Sequence, residues 1–504
     1  MATKVTVFQP GTAVVGTLVQ VNTIGFRPTI VKTRWSVANF IVDAGPTRTT
    51  LMEGRGVALD NGKNYCWSAH RTDAADPYNT GSALWNTSCV VRQSGPTTTT
   101  GKLAIVRMLD DGFEYEILQQ FTADMAVIVE AISGVEVDAI EITEPGATGV
   151  QTYTTPFRPT FVEVLGSGKT AFETTSADVE VCLGASYGAA ADQNAVWANF
   201  EDSAAGTSNA AMYCRRTECL AIISDTAALV RARVEAFNDM DVELNWLERN
   251  GSRKFVLIVM TGRHFIAHGL TQTNLNPFTL TGMTWTPEAI EMVSAALTES
   301  TQDVVSTDVG NTQGFGFSDG FATGPTERAV IATRFNFDGN AGASREVYQH
   351  EFDEVYASIS GAAPPLQLGL IDVSVAFTAD TVTLVHDDAD PSQFYFFLIV
   401  HGPPVIKARQ RLVKYHHNTY VDRAEGRTVI HEAQGRELPM EEIQVDNYLF
   451  SAAFMLPTPV KRHSNIEENH LHYIETLAVR GGRLAVTVER ESLFSSVMKR
   501  LGGG

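Results

Sequence analysis

Phe161 to Thr175 reads FVEVLGSGKTAFETT, an apolar run that enters Gly166-Ser167-Gly168-Lys169-Thr170. A glycine-rich turn ending in Lys-Thr can cradle a nucleotide phosphate with its backbone amides and its lysine. That motif requires a glycine at residue 163, and the residue there is Glu163. A carboxylate would face the phosphates it should help to bind. The lysine should also open a helix whose N-terminal amides hold the anion. The sequence that follows, TAFETTSADVEV, is rich in threonine and poor in helix formers. The stretch therefore reads as a turn at the end of a strand.

Other chemical groupings give the same answer. His470-Leu-His472 puts two imidazoles on one face of a strand, with His463 near in sequence, but no cysteine accompanies them. His416 and His417 point to opposite faces. His431-Glu432 begins like a zinc-protease helix, but Gly435 stands where the second histidine is needed. Asp387-Asp388-Ala389-Asp390 lacks the glycine and terminal glutamate of a calcium loop. Trp67, Trp85, Trp197 and Trp246 could stack on sugars, but core packing accounts for them more simply. No catalytic, cofactor-binding or metal-ligating residue is nominated, and no cofactor is expected.

The elements that carry these residues repeat. GFRPTIVKTRW begins at Gly25, PFRPTFVEVLG at Pro156 and TWTPEAIEMVS at Thr284. The aromatics Phe26, Phe157 and Trp285 each precede a proline and an apolar run, and recur at intervals of about 130 residues. A second marker begins at Phe121 (FTADMAV), Phe237 (FNDMDVE) and Phe377 (FTADTVT). A third ends at Gly134 (VIVEAISG), Gly262 (FVLIVMTG) and Gly402 (YFFLIVHG). Three markers in one order imply a diverged triplication. Segments such as VRARVEAF alternate apolar and charged residues, as half-buried strands do. Asn-Gly and Asp-Gly pairs between segments supply tight turns. Before residue 405, short helices are expected only at Ala195–Phe200 and Glu288–Leu297.

The fold class expected is mainly β: three tandem β-sandwich, jelly-roll-like repeats at 1–145, 146–272 and 273–404, then a smaller β-rich module at 405–504. Composition changes at Pro403-Pro404. The last hundred residues carry 14 Lys+Arg and 12 Asp+Glu, whereas the first 404 carry 24 and 46. In the module, Arg480-Gly-Gly-Arg483 reads as a hairpin turn and ESLFSSVMKRLGGG as a short C-terminal helix.

The chain has 504 residues and a formal net charge of −20. Such an acidic surface argues against nucleic-acid binding, which needs basic groups to displace counterions. No apolar window reaches membrane-spanning length, so no membrane insertion is expected. The N-terminus lacks the apolar core of a secretory signal. Five cysteines, all before residue 220, cannot frame the whole chain with disulfides.

The aromatic-x-Pro marker before an apolar strand, with Thr/Ala/Gly-rich loops, resembles the multi-domain β-sandwich proteins of tailed-bacteriophage virions. The resemblance is one of architecture and covers about residues 10–404. It implies a non-enzymatic structural protein, of the tail-fibre, tail-tip or baseplate type, made in the host cytoplasm and engaged in assembly and host attachment. Its partners would be further copies of itself in a symmetric homo-oligomer, and other virion proteins. A capsid decoration or head-fibre protein is the alternative within this class. A carbohydrate-binding or glycan-degrading protein that uses its sandwich loops on host surface glycan is the alternative outside it.

Overall fold

The strands entered through the three aromatic-x-Pro markers, Ile30–Ser36, Phe161–Gly166 and Ala289–Thr298, hold the same place in three sandwiches. Each lies inside a large antiparallel sheet and pairs with a strand carrying the third marker. In the first sandwich the large sheet runs, in spatial order, Thr3–Phe8, Val127–Ile132, Ile30–Ser36, Thr50–Leu59, Asn64–Thr72, Asn79–Trp85. The small sheet facing it runs Leu18–Val21, Gly112–Gln119, Thr99–Leu109, Val90–Gln93. The second sandwich repeats this order with Glu136–Thr143, Lys254–Thr261, Phe161–Gly166, Val179–Tyr187, Gln193–Phe200, Ala210–Arg215, over Gly149–Thr154, Asp241–Glu248, Ala228–Phe237, Leu220–Ile223. The third repeats it with Arg263–Thr271, Phe394–Pro404, Ala289–Thr298, Ser318–Ala322, Arg328–Asn336, Arg345–Glu351, over Phe278–Leu280, Val382–Asp388, Gln367–Val373, Tyr356–Ile359.

The computed structural model describes residues 2–404 except 37–46, 49, 73–78, 123–124, 188–192, 201–209, 216, 224–227, 272–277, 299–305, 308–317, 324–326, 337–344, 352–353, 360–366, 374–376, 378–379 and 389–393; beyond these it describes 408–410, 413–422, 427–437, 441–445, 448–449, 472–480 and 483–490. No helix occurs among the described residues. The two segments expected to be helical are strands instead. Gln193–Phe200 and Ala289–Thr298 are each paired on both sides in a large sheet, and sheet pairing overrides their alanine-rich local preference.

A seventh, two-residue strand completes each large sheet, and it comes from another sandwich. Ser176–Ala177 of the second pairs with Asn79–Trp85 of the first. Ser306–Thr307 of the third pairs with Ala210–Arg215 of the second. Thr47–Arg48 of the first pairs with Arg345–Glu351 of the third. All three donors leave the connection that follows the marker strand. The exchange is cyclic, so the sandwiches close into a ring about a pseudo-threefold axis.

Burial follows from this closure. Along Ile30–Ser36, Val31 and Trp35 enter the core between the two sheets of their own sandwich. Ile30, on the other face, enters a central core shared with Trp67, Phe161, Leu165, Phe265, Val293 and Ile399 of all three sandwiches. Strands buried on both faces read as continuous apolar runs, which is why the third marker is so hydrophobic. Residues 1–404 form one compact unit and 405–504 another. The sheets change over earlier than positions 146 and 273: Glu136–Thr143 already pairs in the second sandwich and Arg263–Thr271 in the third.

The second marker is equivalent in only two copies. Phe237 ends the first strand of the hairpin Ala228–Phe237/Asp241–Glu248, and Phe377 lies in the connection of Gln367–Val373/Val382–Asp388. The matching turn in the first sandwich is Asp110-Asp111, between Thr99–Leu109 and Gly112–Gln119. Phe121 instead follows that hairpin.

In the second unit, Val413–Asp422 pairs with Arg427–Glu437, and His472–Arg480 with Arg483–Arg490. Arg480 faces Arg483, as a two-residue turn between them requires. Residues 491–504, where the C-terminal helix is expected, lie outside the described residues, as do His463 and His470.

Candidate functional site

Charged side chains converge on the ring axis. Counting four residues on from the proline of each aromatic-x-Pro marker gives Lys32, Glu163 and Glu291. Their strands present all three toward the centre, and all are buried. Lys32 Nζ lies 2.7 Å from Glu163 Oε2 and 2.7 Å from Glu291 Oε2. Arg55, on Thr50–Leu59, donates from Nη2 to Oε1 of both Glu163 and Glu291. Two cations and two carboxylates, drawn from three sandwiches, thus form a closed set of ion pairs.

Two further groups face it. Glu130, on Val127–Ile132, is the direct cross-strand partner of Lys32, with Oε2 3.8 Å from Nζ. His401, on Phe394–Pro404, places Nδ1 3.5 Å from Glu130 Oε1. Its ring meets the edge of Phe265 at a centroid distance of 5.3 Å. Neither oxygen of Glu130 and neither ring nitrogen of His401 has a hydrogen-bond partner among the described residues. Arg263 closes one side. It donates to Gly402 O at 2.9 Å, Thr3 Oγ1 at 3.0 Å, Ser133 O at 3.0 Å and Glu288, tying the third sandwich to the first.

The electrostatics balance without solvent. Burial pushes the Glu130 carboxyl up to about 8, and Lys32 offsets this only in part, so Glu130 keeps its proton at neutral pH. Burial would also raise Glu163, but Lys32 and Arg55 outweigh it and hold this carboxyl below its usual range. Burial would lower Lys32, yet the facing carboxylates raise it above an ordinary lysine. Burial, then the positive charges of Lys32, Arg263 and Arg55, hold His401 well below an ordinary histidine. The core therefore contains two cations, two carboxylates, a neutral acid and a neutral imidazole.

The ligand atoms of Glu130, Glu291 and His401 lie within 4.8 Å of one another, a spacing that could hold a metal ion. The ammonium of Lys32 already sits against Glu291 as the chain's own cation. A divalent ion there would have to share that carboxylate with Lys32 and Arg55.

The P-loop look-alike has a structural role. Glu163, the residue that breaks the nucleotide-binding pattern, belongs to the axial cluster. Gly168 adopts φ +63°, a conformation that favours glycine, and a Cβ there would meet Glu180 Oε2 at 1.7 Å. Lys169 is buried and donates from Nζ to Ala177 O and Asp178 O, both at 2.8 Å. Its ammonium holds the exchanged strand Ser176–Ala177 in place. Of the tryptophans considered for sugar stacking, Trp67, Trp85 and Trp246 are fully buried in cores; the side chain of Trp197 lies outside the described residues. Cys66, Cys89, Cys182 and Cys219 are free thiols, all buried.

No protein-family model matches the chain, and no curated protein matches it in sequence.

Proposed function

We propose that this chain is a non-enzymatic structural component of a tailed-bacteriophage virion, of the tail-fibre, tail-tip or baseplate type, acting in assembly and host attachment. The cyclic strand exchange carries the proposal. Three sandwiches locked around one axis make a single-chain counterpart of a homotrimer, and such a part suits an axis of a symmetric particle. The buried charge sits between the sandwiches, where it fixes their mutual arrangement. The ring's own threefold contacts are satisfied within one chain, so assembly with further copies falls to residues 405–504. That module is close to charge-balanced, whereas the ring is strongly acidic.

Light scattering on the full chain and on residues 1–404 tests the division of labour. A full-length oligomer and a folded monomeric ring are expected; a ring that assembles as the full chain does would overturn it. Immunogold labelling with antibody to the ring tests the virion role on particles from the producing lysate. Tail labelling supports the proposal, head labelling supports a decoration protein, and unlabelled particles rule out both.

A further inference from the structure

We propose that the ring seals itself covalently: the Lys32 amine and the Glu130 carboxyl condense to a side-chain amide that staples Ile30–Ser36 to Val127–Ile132. The two residues are directly opposed on adjacent antiparallel strands, so their side chains meet without backbone movement. Nζ is 3.8 Å from Oε2, and both residues are buried. Lys32 is already satisfied by Glu163 and Glu291, so Glu130 is superfluous as a salt-bridge partner. A buried carboxyl left without a hydrogen bond is costly, yet both its oxygens are in that state.

The neighbours supply the chemistry. Lys32 Nζ is the nucleophile. Glu163 Oε2, 2.7 Å away, accepts its proton. Glu130, an uncharged acid, is the electrophile; a carboxylate would repel the attack. His401 Nδ1, 3.5 Å from Glu130 Oε1 on the other side, is placed to relay a proton: it gives one to the departing hydroxyl and takes back the one that the remaining hydroxyl releases as the carbonyl re-forms, so it ends as neutral as it began. A bond forms between Nζ and Cδ of Glu130, a Cδ–O bond breaks, and one water leaves. Of the four exchangeable protons on the ammonium and the acid, one stays on the amide nitrogen, two leave in the water and one rests on Glu163. Charge is conserved, and no oxidant or reductant is needed.

The opposing carboxylates favour the ammonium form of Lys32, so handing over its proton is uphill and the reaction is slow. It has to happen only once. Fixed juxtaposition stands in for effective concentrations on the order of 10⁵–10⁸ M.

Intact-mass spectrometry of the denatured full-length chain tests this directly. The folded protein, aged at neutral pH, is expected to weigh less than its sequence by one water. Tryptic digestion should yield one branched peptide joining the Lys32 and Glu130 segments, with no cleavage after Lys32. K32R should keep the full sequence mass. Folded wild-type protein that holds its full mass after prolonged incubation would overturn the proposal, whether or not any variant folds. So would K32R protein that still loses a water.

Discussion

Lys32 and Glu291 stand 259 residues apart in the chain and 2.7 Å apart in space. The contact joins the first sandwich to the third across the ring axis, and the equivalent position of the second supplies Glu163. Three identical residues here would repel one another, as they would in a true homotrimer. One lysine among two glutamates turns the repulsion into attraction, an asymmetry that a fused chain can encode and a homotrimer cannot. Removing one partner of a buried ion pair strands the other and typically costs about 3–5 kcal/mol. K32M, which keeps the volume and removes the charge, is expected to lose stability on that scale in urea unfolding of the full chain. A change below about 1 kcal/mol, the ordinary worth of a surface pair, would show that the axial charges do not hold the ring.

The triplication leaves a second mark, in glycines. A Cβ on Gly56 would meet Cys89 O at 2.0 Å, one on Gly184 would meet Cys219 O at 1.8 Å, and one on Gly320 would meet Val355 O at 2.1 Å. In each sandwich the second strand after the marker crosses a backbone carbonyl at the start of the small sheet, and only hydrogen fits. Backbone cannot swing aside as a side chain can. G184A and G56A are each expected to cost roughly 1–3 kcal/mol or more through overpacking. G146A, at a position with nothing within 4 Å, should leave stability unchanged. Equal midpoints for G184A and G146A in denaturant would refute the account.

The repeat, the strands and the change of composition at residue 404 were legible because periodicity and turn residues are local signals. The aromatic-x-Pro marker even pointed to the axial residues: Lys32, Glu163 and Glu291 all follow its proline at one spacing. What hid them is that a charge inside IVKTRW looks like the exposed side of an amphipathic strand. Only ring closure buries it. The exchanged strands were also invisible, since two residues such as Ser176–Ala177 carry no period. Phe121 misled because FTADMAV copies the residues of a hairpin turn without occupying one. His401 joins Glu130 through long-range pairing alone, 271 positions away in the chain, with no local signal to link them.

Lys169 links the P-loop look-alike to the strand exchange, so its substitution should act on structure. In K169A the carbonyls of Ala177 and Asp178 lose a buried donor. The segment stays tied to the first sandwich by Glu173, which accepts from the Asn86 and Thr87 amides and the Thr87 hydroxyl, and by Ser82 Oγ, which donates to Asp178 O at 2.9 Å. Amide exchange at Ser176 and Ala177 is expected to quicken on the order of tenfold or more, as the loss of about 1.4 kcal/mol or more would produce. K169A/E173A should open the segment to protease. Unchanged exchange in both variants would mean that the strand pairing and the Ser82 contact secure the seam without Lys169 or Glu173.

His401 gives the ring unit an acid limit. Its neighbours are Glu130, Glu291, Phe265 and the cations Lys32, Arg263 and Arg55, and burial leads the effects that hold it neutral. The unfolded histidine takes a proton below about 6.5, while the folded one does so only well below that. Between these limits the unfolded state binds more protons, so stability falls as pH drops, by about 1.4 kcal/mol per unit. Glu130 while still a free acid works in the opposite sense. Pushed up to about 8, its carboxyl costs stability as pH rises through the interval from its ordinary range. E130Q removes that opposing limb and leaves His401 as the more strongly shifted of the two histidines that burial lowers. Its unfolding free energy is expected to be flat from pH 8 to about 6.5 and to decline toward pH 5, before exposed carboxylates begin to titrate. E130Q/H401N should lose most of that decline, the remainder belonging to half-buried His264, which burial also lowers. A decline of equal slope in the double variant would place the acid limit elsewhere in the chain.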